Sequence, residues 1–299
     1  MTPMDMQGNI CLVTGSTSGL GKATALALAQ QHATVILGCR DRHRGEAVLA
    51  EIKAGSPAAT VDLLLLDLSV QHSIRTAVTE FESRYDHLDV LINNAAVFTP
   101  QRTLTADGYE TMFATNHLGP FLLTNLLLSR LQAAPAARIL TITAPSTTKI
   151  AFEDVQAEHK FRALQAFAAS KAANLLFTYD LAHRLAGTSV TVNAFYPGLV
   201  KTSLMREAPA PLRWLNPVFG QSPEPVAQSV VYYASSPKVQ GMTGLLFTKG
   251  RQPMDSSPYT KDRAVQQRLW EASLALAPPP DIPLKKGSRT NDRREDKNP

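Results

Sequence analysis

Short runs of apolar residues alternate along the chain with longer stretches in which apolar residues recur at helical spacing. The runs predict strands at Ile10–Thr14, Thr34–Gly38, Val61–Leu66, Val90–Asn93, Ile139–Thr143, Val190–Phe195 and Leu245–Thr248. The stretches between them predict helices near residues 19–31, 42–54, 70–85, 109–132, 162–186 and 223–235. Apolar residues are nearly continuous within the strands, as is typical of a parallel sheet covered on both faces. The pattern therefore predicts an α/β fold with a doubly wound parallel sheet of about seven strands.

We expect these elements to form one domain, residues 1–277, followed by a polar and disordered tail at 278–299. A last amphipathic helix is predicted around Asp262–Ala275. Three prolines within Ala208–Pro217 interrupt the pattern after the sixth strand and favour a mobile loop or lid.

Composition and cysteine usage indicate a globular protein of a reducing compartment. Of the 299 residues 44% are hydrophobic and 18% are charged, which excludes a disordered, collagenous or disulfide-rich chain. Cys11 and Cys39 both lie in apolar runs and predict buried thiols. No secretory signal precedes the first strand, and no apolar stretch reaches the ~18 residues of a spanning helix. We therefore expect a cytoplasmic protein without a membrane span.

The distribution of charged residues and histidines predicts that the protein binds neither nucleic acid nor a metal ion. The net charge is +5, but residues 281–299 mix six lysines or arginines with four acids. A tail of mixed sign is weak evidence for binding to nucleic acid or membranes. Histidines and acids are scattered without the spacing of a zinc or two-metal site, so no metal is expected.

The first predicted strand runs directly into a glycine-rich segment that opens a helix, Thr14-Gly15-Ser16-Thr17-Ser18-Gly19-Leu20-Gly21. Glycines allow a tight turn and close approach of a pyrophosphate, and the helix N-terminus supplies free N–H groups. The segment is not a Walker A loop, because Ala23 stands where that motif needs a hydroxyl.

Further motifs follow along the chain. They are Asn93-Asn94-Ala95-Ala96, Thr115-Asn116-His117-Leu118-Gly119, Ser170-Lys171-Ala172-Ala173-Asn174, and Pro197-Gly198-Leu199-Val200-Lys201-Thr202. With the glycine-rich segment, this ordered set resembles the short-chain dehydrogenase/reductase family. The segment Arg268-Leu269-Trp270-Glu271 is similar to the C-terminal helix of its retinol-dehydrogenase-like branch. The resemblance covers about residues 8 to 275 and implies a Rossmann fold, a nicotinamide cofactor and a possible homo-oligomer.

Arg40 at the end of the second strand favours NADP(H) over NAD. An NAD-preferring fold usually places an acid there for the ribose hydroxyls, whereas a guanidinium suits a 2′-phosphate. Lys22 and Arg42 are expected to add positive charge. The resemblance implies that the cofactor is bound by Gly15, Ser16, Thr17, Ser18, Gly19, Leu20, Gly21, Arg40, Asp67, Leu68, Asn94, Ala95, Lys171, Pro197, Gly198, Val200 and Thr202.

The catalytic pattern of the resembled family is incomplete in this chain. The family's proton-transferring Tyr lies four residues before its Lys, and here that position is Phe167 before Lys171. The family's Ser beyond strand five is Ala144 here, while Asn116 remains. Ser146 is a possible substitute for the missing hydroxyls. Loss of a general acid costs about 10²–10⁴-fold, and loss of a carbonyl-polarising donor costs about 10²–10³-fold.

Three functions remain open. The first is an NADP(H)-dependent oxidoreductase for a small apolar carbonyl or alcohol with an impaired proton relay. The second is a pseudoenzyme or sensor that binds NADP(H) without redox turnover. The third is a repurposed enzyme that catalyses a non-redox rearrangement or cyclisation.

Overall fold

The computed structural model describes residues 5–202, 204 and 220–279. Its central sheet contains β1 (Ile10–Thr14), β2 (Thr34–Cys39), β3 (Val61–Leu65), β4 (Val90–Asn93), β5 (Arg138–Ile142), β6 (Thr191–Tyr196), β7 (Leu246–Thr248) and β8 (Pro253–Met254). The spatial order is β3-β2-β1-β4-β5-β6-β7-β8, and β1 to β7 pair in parallel. The predicted doubly wound α/β fold is confirmed, and each predicted strand ends within one residue of the observed one.

The expectation of about seven strands misses β8, which pairs antiparallel with β7 at the sheet edge. This strand has two exposed residues, so no apolar run marks it in the sequence. The proline-interrupted segment at 208–217 and most of the predicted tail, 280–299, lie outside the described residues.

Helices cover both faces of the sheet. They are α1 (Gly19–Ala29), α2 (Arg42–Gly55), α3 (Gln71–Arg84), α4 (Thr111–Phe113), α5 (Gly119–Leu126), α6 (Leu128–Ala133), α7 (Ala163–Arg184), α8 (Pro223–Ser235), α9 (Pro258–Lys261) and α10 (Arg263–Leu276). No helix in the described part of the chain is long and apolar enough to cross a membrane.

The continuous helix predicted over 109–132 is wrong in one respect, because a π-helical turn, Ala114–Leu118, separates α4 from α5. The N–H of Gly119 donates to the carbonyl of Ala114, five residues back. Pro120 follows and has no N–H to offer the carbonyl of Asn116. Such π turns are rare and often occur at functional sites.

The core consists of two apolar layers, one on each side of the sheet. In β1, Val13 packs into the layer shared with α1, α2 and α8. Its neighbour Leu12 packs into the opposite layer with α3, α5, α7 and Trp270 of α10. Successive strand residues point to opposite faces, so both must be apolar when both faces are covered. Cys11 and Cys39 are free and buried, as predicted.

Candidate functional site

A cavity of about 480 Å³ opens at the carboxyl ends of the parallel strands. It lies where the strand order reverses between β1 and β4, which is where doubly wound sheets bind their ligands. Its wall contains residues from the ends of β1, β2, β3, β4, β5 and β6 and from α7. They include Thr14, Gly15, Gly21, Arg40, Arg44, Asp67, Asn94, Val97, Ala144, Phe167, Lys171, Tyr196, Leu199 and Leu204.

The glycine-rich segment forms a turn that leaves no room for side chains. Gly15 has φ +65°, and a Cβ there would lie 2.9 Å from the Cα of Ala95. A Cβ on Gly21 would lie 2.3 Å from the carbonyl oxygen of Gly15. Glycine is therefore required at both positions for the backbone of the turn to approach these neighbours. The result is a bare backbone surface at the cavity wall.

Thr14 and Asn94 fasten this turn to the end of β4. The hydroxyl of Thr14 accepts hydrogen bonds from the N–H groups of Asn94 at 2.9 Å and of Ala95 at 3.1 Å. The side-chain amide of Asn94 donates to the carbonyl of Thr14 at 2.8 Å. These hydrogen bonds hold the ends of β1 and β4 together. Asn94 also lines the cavity.

The N-terminus of α1 faces the same cavity. Ser18 has an extended backbone at the N-cap position, and its side chain makes no capping hydrogen bond. Ser18 and Leu20 line the cavity. The first N–H groups of an α-helix have no partner within the helix, so they remain available to an anion.

Two arginines that follow β2, Arg40 and Arg44, line the end of the cavity nearest that strand. Arg40 is exposed, as a group that receives a phosphate needs to be. Arg44 was not among the sequence-predicted residues, although its place three residues after the helix cap Asp41 could have indicated it. Arg44 thus supplies the second positive charge at this end.

Lys22 and Arg42 do not add the positive charge expected of them. The ammonium of Lys22 pairs with Glu51 of α2 at 2.6 Å. Arg42 lies 3.8 Å from Glu46 on its own helix. Neither lines the cavity, because each is directed toward an acid of α2.

Asp67 and Leu68 form the wall beyond β3. The Asp67 carboxylate accepts hydrogen bonds from the N–H and the hydroxyl of Ser69, at 2.9 and 2.6 Å. These bonds fix the turn that follows the strand and hold the two side chains at the cavity edge.

Helix α7 places Phe167 and Lys171, four residues apart, on one face toward the cavity. Lys171 is 6% exposed, and its ammonium lies 5.2 Å from the centre of the Phe167 ring. Within the described residues its Nζ has no hydrogen bond and no ion pair. Burial lowers the pKa of Lys171 to about 8, because the charged form loses its hydration there.

Asn116 lies in the π turn and is 1% exposed. Its side-chain oxygen accepts from the N–H of Val97 at 2.7 Å. Its amide donates to the carbonyl of Val97 at 3.0 Å and to the hydroxyl of Ser170 at 3.1 Å. Asn116 therefore joins the loop after β4 to α7, and its side chain does not line the cavity.

After β5, Thr143 and Ala144 line the cavity, but the hydroxyls of Thr143 and Ser146 both donate to backbone carbonyls of α7. The hydroxyl of Thr143 donates to the carbonyl of Lys171 at 3.0 Å. Ser146 donates to the carbonyl of Ala168 at 2.9 Å and does not line the cavity. This geometry does not support Ser146 as a substitute for the missing hydroxyls, since its proton is already bonded to α7.

Comparisons with known proteins identify the family of this chain. The family model for short chain dehydrogenase matches residues 9–212. Retinol dehydrogenase 14 of Mus musculus is 39% identical over 289 residues, covering 91% of this chain and 86% of the relative. Retinol dehydrogenase 12 of Homo sapiens is 37% identical over 279 residues, covering 92% and 88%. An uncharacterized protein from Mycobacterium paratuberculosis superposes with a TM-score of 0.73 at 32% identity, covering 92% of this chain and 96% of that one.

The chain belongs to the short-chain dehydrogenase family. The expected family and its retinol-dehydrogenase-like branch are confirmed, and the family is one of oxidoreductases that bind a nicotinamide cofactor. Most of the predicted cofactor residues line the cavity: Gly15, Thr17, Ser18, Leu20, Gly21, Arg40, Asp67, Leu68, Asn94, Ala95, Lys171, Pro197, Gly198, Val200 and Thr202. Ser16 and Gly19 do not. Ser16 is buried with its hydroxyl 3.4 Å from the carbonyl of Gly38, and a Cβ on Gly19 would lie 2.8 Å from Thr202.

The end of the cavity around Phe167 and Lys171 is mainly apolar. The Phe167 ring meets Phe98 edge-on at 5.7 Å, and Val97 and Leu204 pack in the same cluster. Tyr196, the last residue of β6, also lines the cavity, and its side chain packs against the apolar cluster of Leu175, Tyr179, Ala194 and Leu246. Sequence reasoning missed Tyr196, although its place directly before the Pro197-Gly198 motif was a signal. Chemically, this end combines the amine of Lys171 with apolar side chains.

Proposed function

We propose that this protein is an NADP(H)-dependent oxidoreductase for a small apolar carbonyl or alcohol, with an impaired proton relay. The observation that carries the proposal is the continuity of one cavity. It leads from two arginines, past the bare glycine turn, to an amine within an apolar wall. A dinucleotide phosphate and a small apolar substrate need these surroundings in this order.

The residues present fit the cofactor. Gly15 and Gly21 leave a surface that a Cβ would fill, and the uncapped N-terminus of α1 adds free N–H groups for the pyrophosphate. Arg40 and Arg44 supply charge for a 2′-phosphate, which NAD lacks. When bound, the nicotinamide supplies or accepts the hydride.

The chain's own part in the reaction depends on Lys171. At pH 7 its amine is mostly protonated, since burial leaves the pKa at about 8. It is thus able to donate a proton toward an oxygen held at the apolar end, directly or through water. Phe167 and Ala144 exclude water around that oxygen but donate nothing. We infer slow catalysis, because neither position of the family's hydroxyl pair carries a donor.

The test is NADPH oxidation by the purified protein with a panel of apolar aldehydes, ketones and quinones. We expect turnover that falls as the pH rises through about 8, because Lys171 then loses the proton it donates. Lys171→Arg should reduce it strongly. Tyr196→Phe is the matched control: if it abolishes turnover while Lys171→Arg does not, the phenol is the donor and our assignment is wrong. If the protein is folded and binds NADPH but oxidises it no faster than the buffer alone with every compound of the panel, the oxidoreductase proposal is refuted.

A second function, an NADP(H)-binding pseudoenzyme or sensor, is favoured by the hydrocarbon that Phe167 and Ala144 present where the family has hydroxyls. It requires NADPH binding by calorimetry without turnover under any condition of the panel. The cytoplasmic location and the homo-oligomer stay predictions, which fractionation and light scattering would check.

A further inference from the structure

We infer that Lys171 captures apolar aldehydes covalently as an imine, with no need for the cofactor. This activity goes beyond the proposed redox function and does not depend on it. It rests on an unpaired amine at the wall of an apolar cavity that lacks the two family hydroxyls.

The first support is the geometry around the amine. Lys171 lines the cavity yet is 6% exposed, so a ligand reaches it only from the cavity. Its Nζ faces the Phe167 ring at 5.2 Å, and that ring has no hydroxyl to engage it. Ala144 across the cavity offers a methyl group. No acid among the described residues pairs with the ammonium, so no ion pair holds the amine in its protonated, non-nucleophilic form.

The second support is the fit of the wall to a hydrocarbon tail. Val97, Leu199 and Leu204 line the cavity with Phe167. Phe167 and Leu204 belong to one apolar cluster with Phe98 behind them. An aldehyde whose carbon reaches Lys171 can place its chain against these side chains, and a polar aldehyde gains nothing there.

The protonation state of the amine agrees with this role. Burial lowers the pKa of Lys171 to about 8 from the ordinary 10.5. At pH 7 the neutral, nucleophilic fraction is then about 300-fold larger than for a lysine of ordinary pKa. Desolvation in an apolar pocket is a recognised way of activating a lysine for attack on carbonyls.

The chemistry balances without an oxidant or reductant. The amine lone pair of Lys171 forms a bond to the aldehyde carbon, and the carbonyl π pair moves to the oxygen. The resulting carbinolamine loses that oxygen with the two amine hydrogens as one molecule of water. A carbon–nitrogen double bond remains, and water reverses the reaction.

The experiment traps this imine in the full-length protein without NADPH. The protein is incubated at pH 7 with octanal and sodium cyanoborohydride, and the modified residues are mapped by peptide mass spectrometry. We expect a mass increase equal to octanal less one oxygen atom, at Lys171 at least about tenfold faster than at the exposed Lys149 and Lys238. Glyceraldehyde should label Lys171 no faster than those two lysines.

The matched variants are Lys171→Arg, which keeps the positive charge without a nucleophilic amine, and Lys149→Arg. Fast labelling should disappear in the first and persist in the second. If the wild-type protein is labelled at Lys171 no faster than at its exposed lysines, the inference is overturned. This outcome is read from the wild type alone and does not depend on the folding of a variant. A protein that oxidises NADPH but shows no trapped adduct refutes the imine alone. An adduct without NADPH oxidation refutes the redox proposal alone.

Discussion

Replacing Lys171 by methionine is expected to stabilise the protein at neutral pH. The side chain is buried, and the structure gives its charge no hydrogen bond or ion pair within the described residues. Methionine has a similar length, is apolar and needs no hydration. The same substitution removes the amine on which both proposals depend. Functional residues often lower the stability of a protein, which is the usual trade-off between stability and activity.

The magnitude follows from the two pKa values of Lys171, about 8 in the native state and 10.5 as its ordinary value. The unfolded chain holds the proton more tightly, so the free energy of unfolding rises with pH between these values. Relative to a neutral side chain, the charge then costs roughly 3 kcal/mol at pH 7, and roughly half of that at pH 9.5. The gain in the free energy of unfolding from Lys171→Met should therefore be smaller at pH 9.5 than at pH 7.

The assay is urea unfolding of wild type and Lys171→Met at pH 7 and pH 9.5, with the difference between the two proteins taken at each pH. That difference cancels the other titrating groups, which both proteins share. The exposed Lys149→Met variant is the control and should change stability by less than about 0.5 kcal/mol at either pH. A Lys171→Met variant less stable than wild type, or an advantage that grows with pH, would refute the reasoning.

Three other outcomes are expected. Phe167→Tyr combined with Ala144→Ser should raise NADPH-dependent reduction by about 10²-fold or more in a spectrophotometric assay, and no gain would mean that the pocket no longer admits a carbonyl. Arg40→Ala should weaken NADPH binding about tenfold by calorimetry and leave NADH unchanged; an equal loss for both would show that Arg40 does not read the 2′-phosphate. Gly21→Ala places a Cβ 2.3 Å from a carbonyl oxygen of the turn and should weaken NADPH binding at least about tenfold. Gly55→Ala, which meets nothing within 4 Å, should bind NADPH normally, and similar affinity in both variants would contradict this account of the turn.

Several features of the fold and site were accessible from the sequence because they depend on local pattern. Continuous apolar runs predicted β1 to β7, since strands covered on both faces need apolar residues at every position. The turn from Gly15 to Gly21 was recognisable from the spacing of its glycines. The absence of hydroxyls at Phe167 and Ala144 required only counting from Lys171 and from the end of β5.

Other features depended on residues distant in the chain. Lys22 is directed away from the cavity by Glu51, and Ser146 by the carbonyl of Ala168. Asn116 is held by the backbone of Val97. Which partner a polar side chain chooses is decided by what the fold brings within hydrogen-bonding distance.

The sequence by itself thus determined the parallel sheet, the glycine turn and the loss of the hydroxyl pair. Only the tertiary structure decided that Arg44 and Tyr196 join the site, that a π turn carries Asn116, and that Lys171 is buried with no ion pair or hydrogen bond to its ammonium among the described residues. The physical reason is that apolar periodicity is a property of neighbouring residues, whereas hydration and charge pairing depend on the whole surroundings of a group.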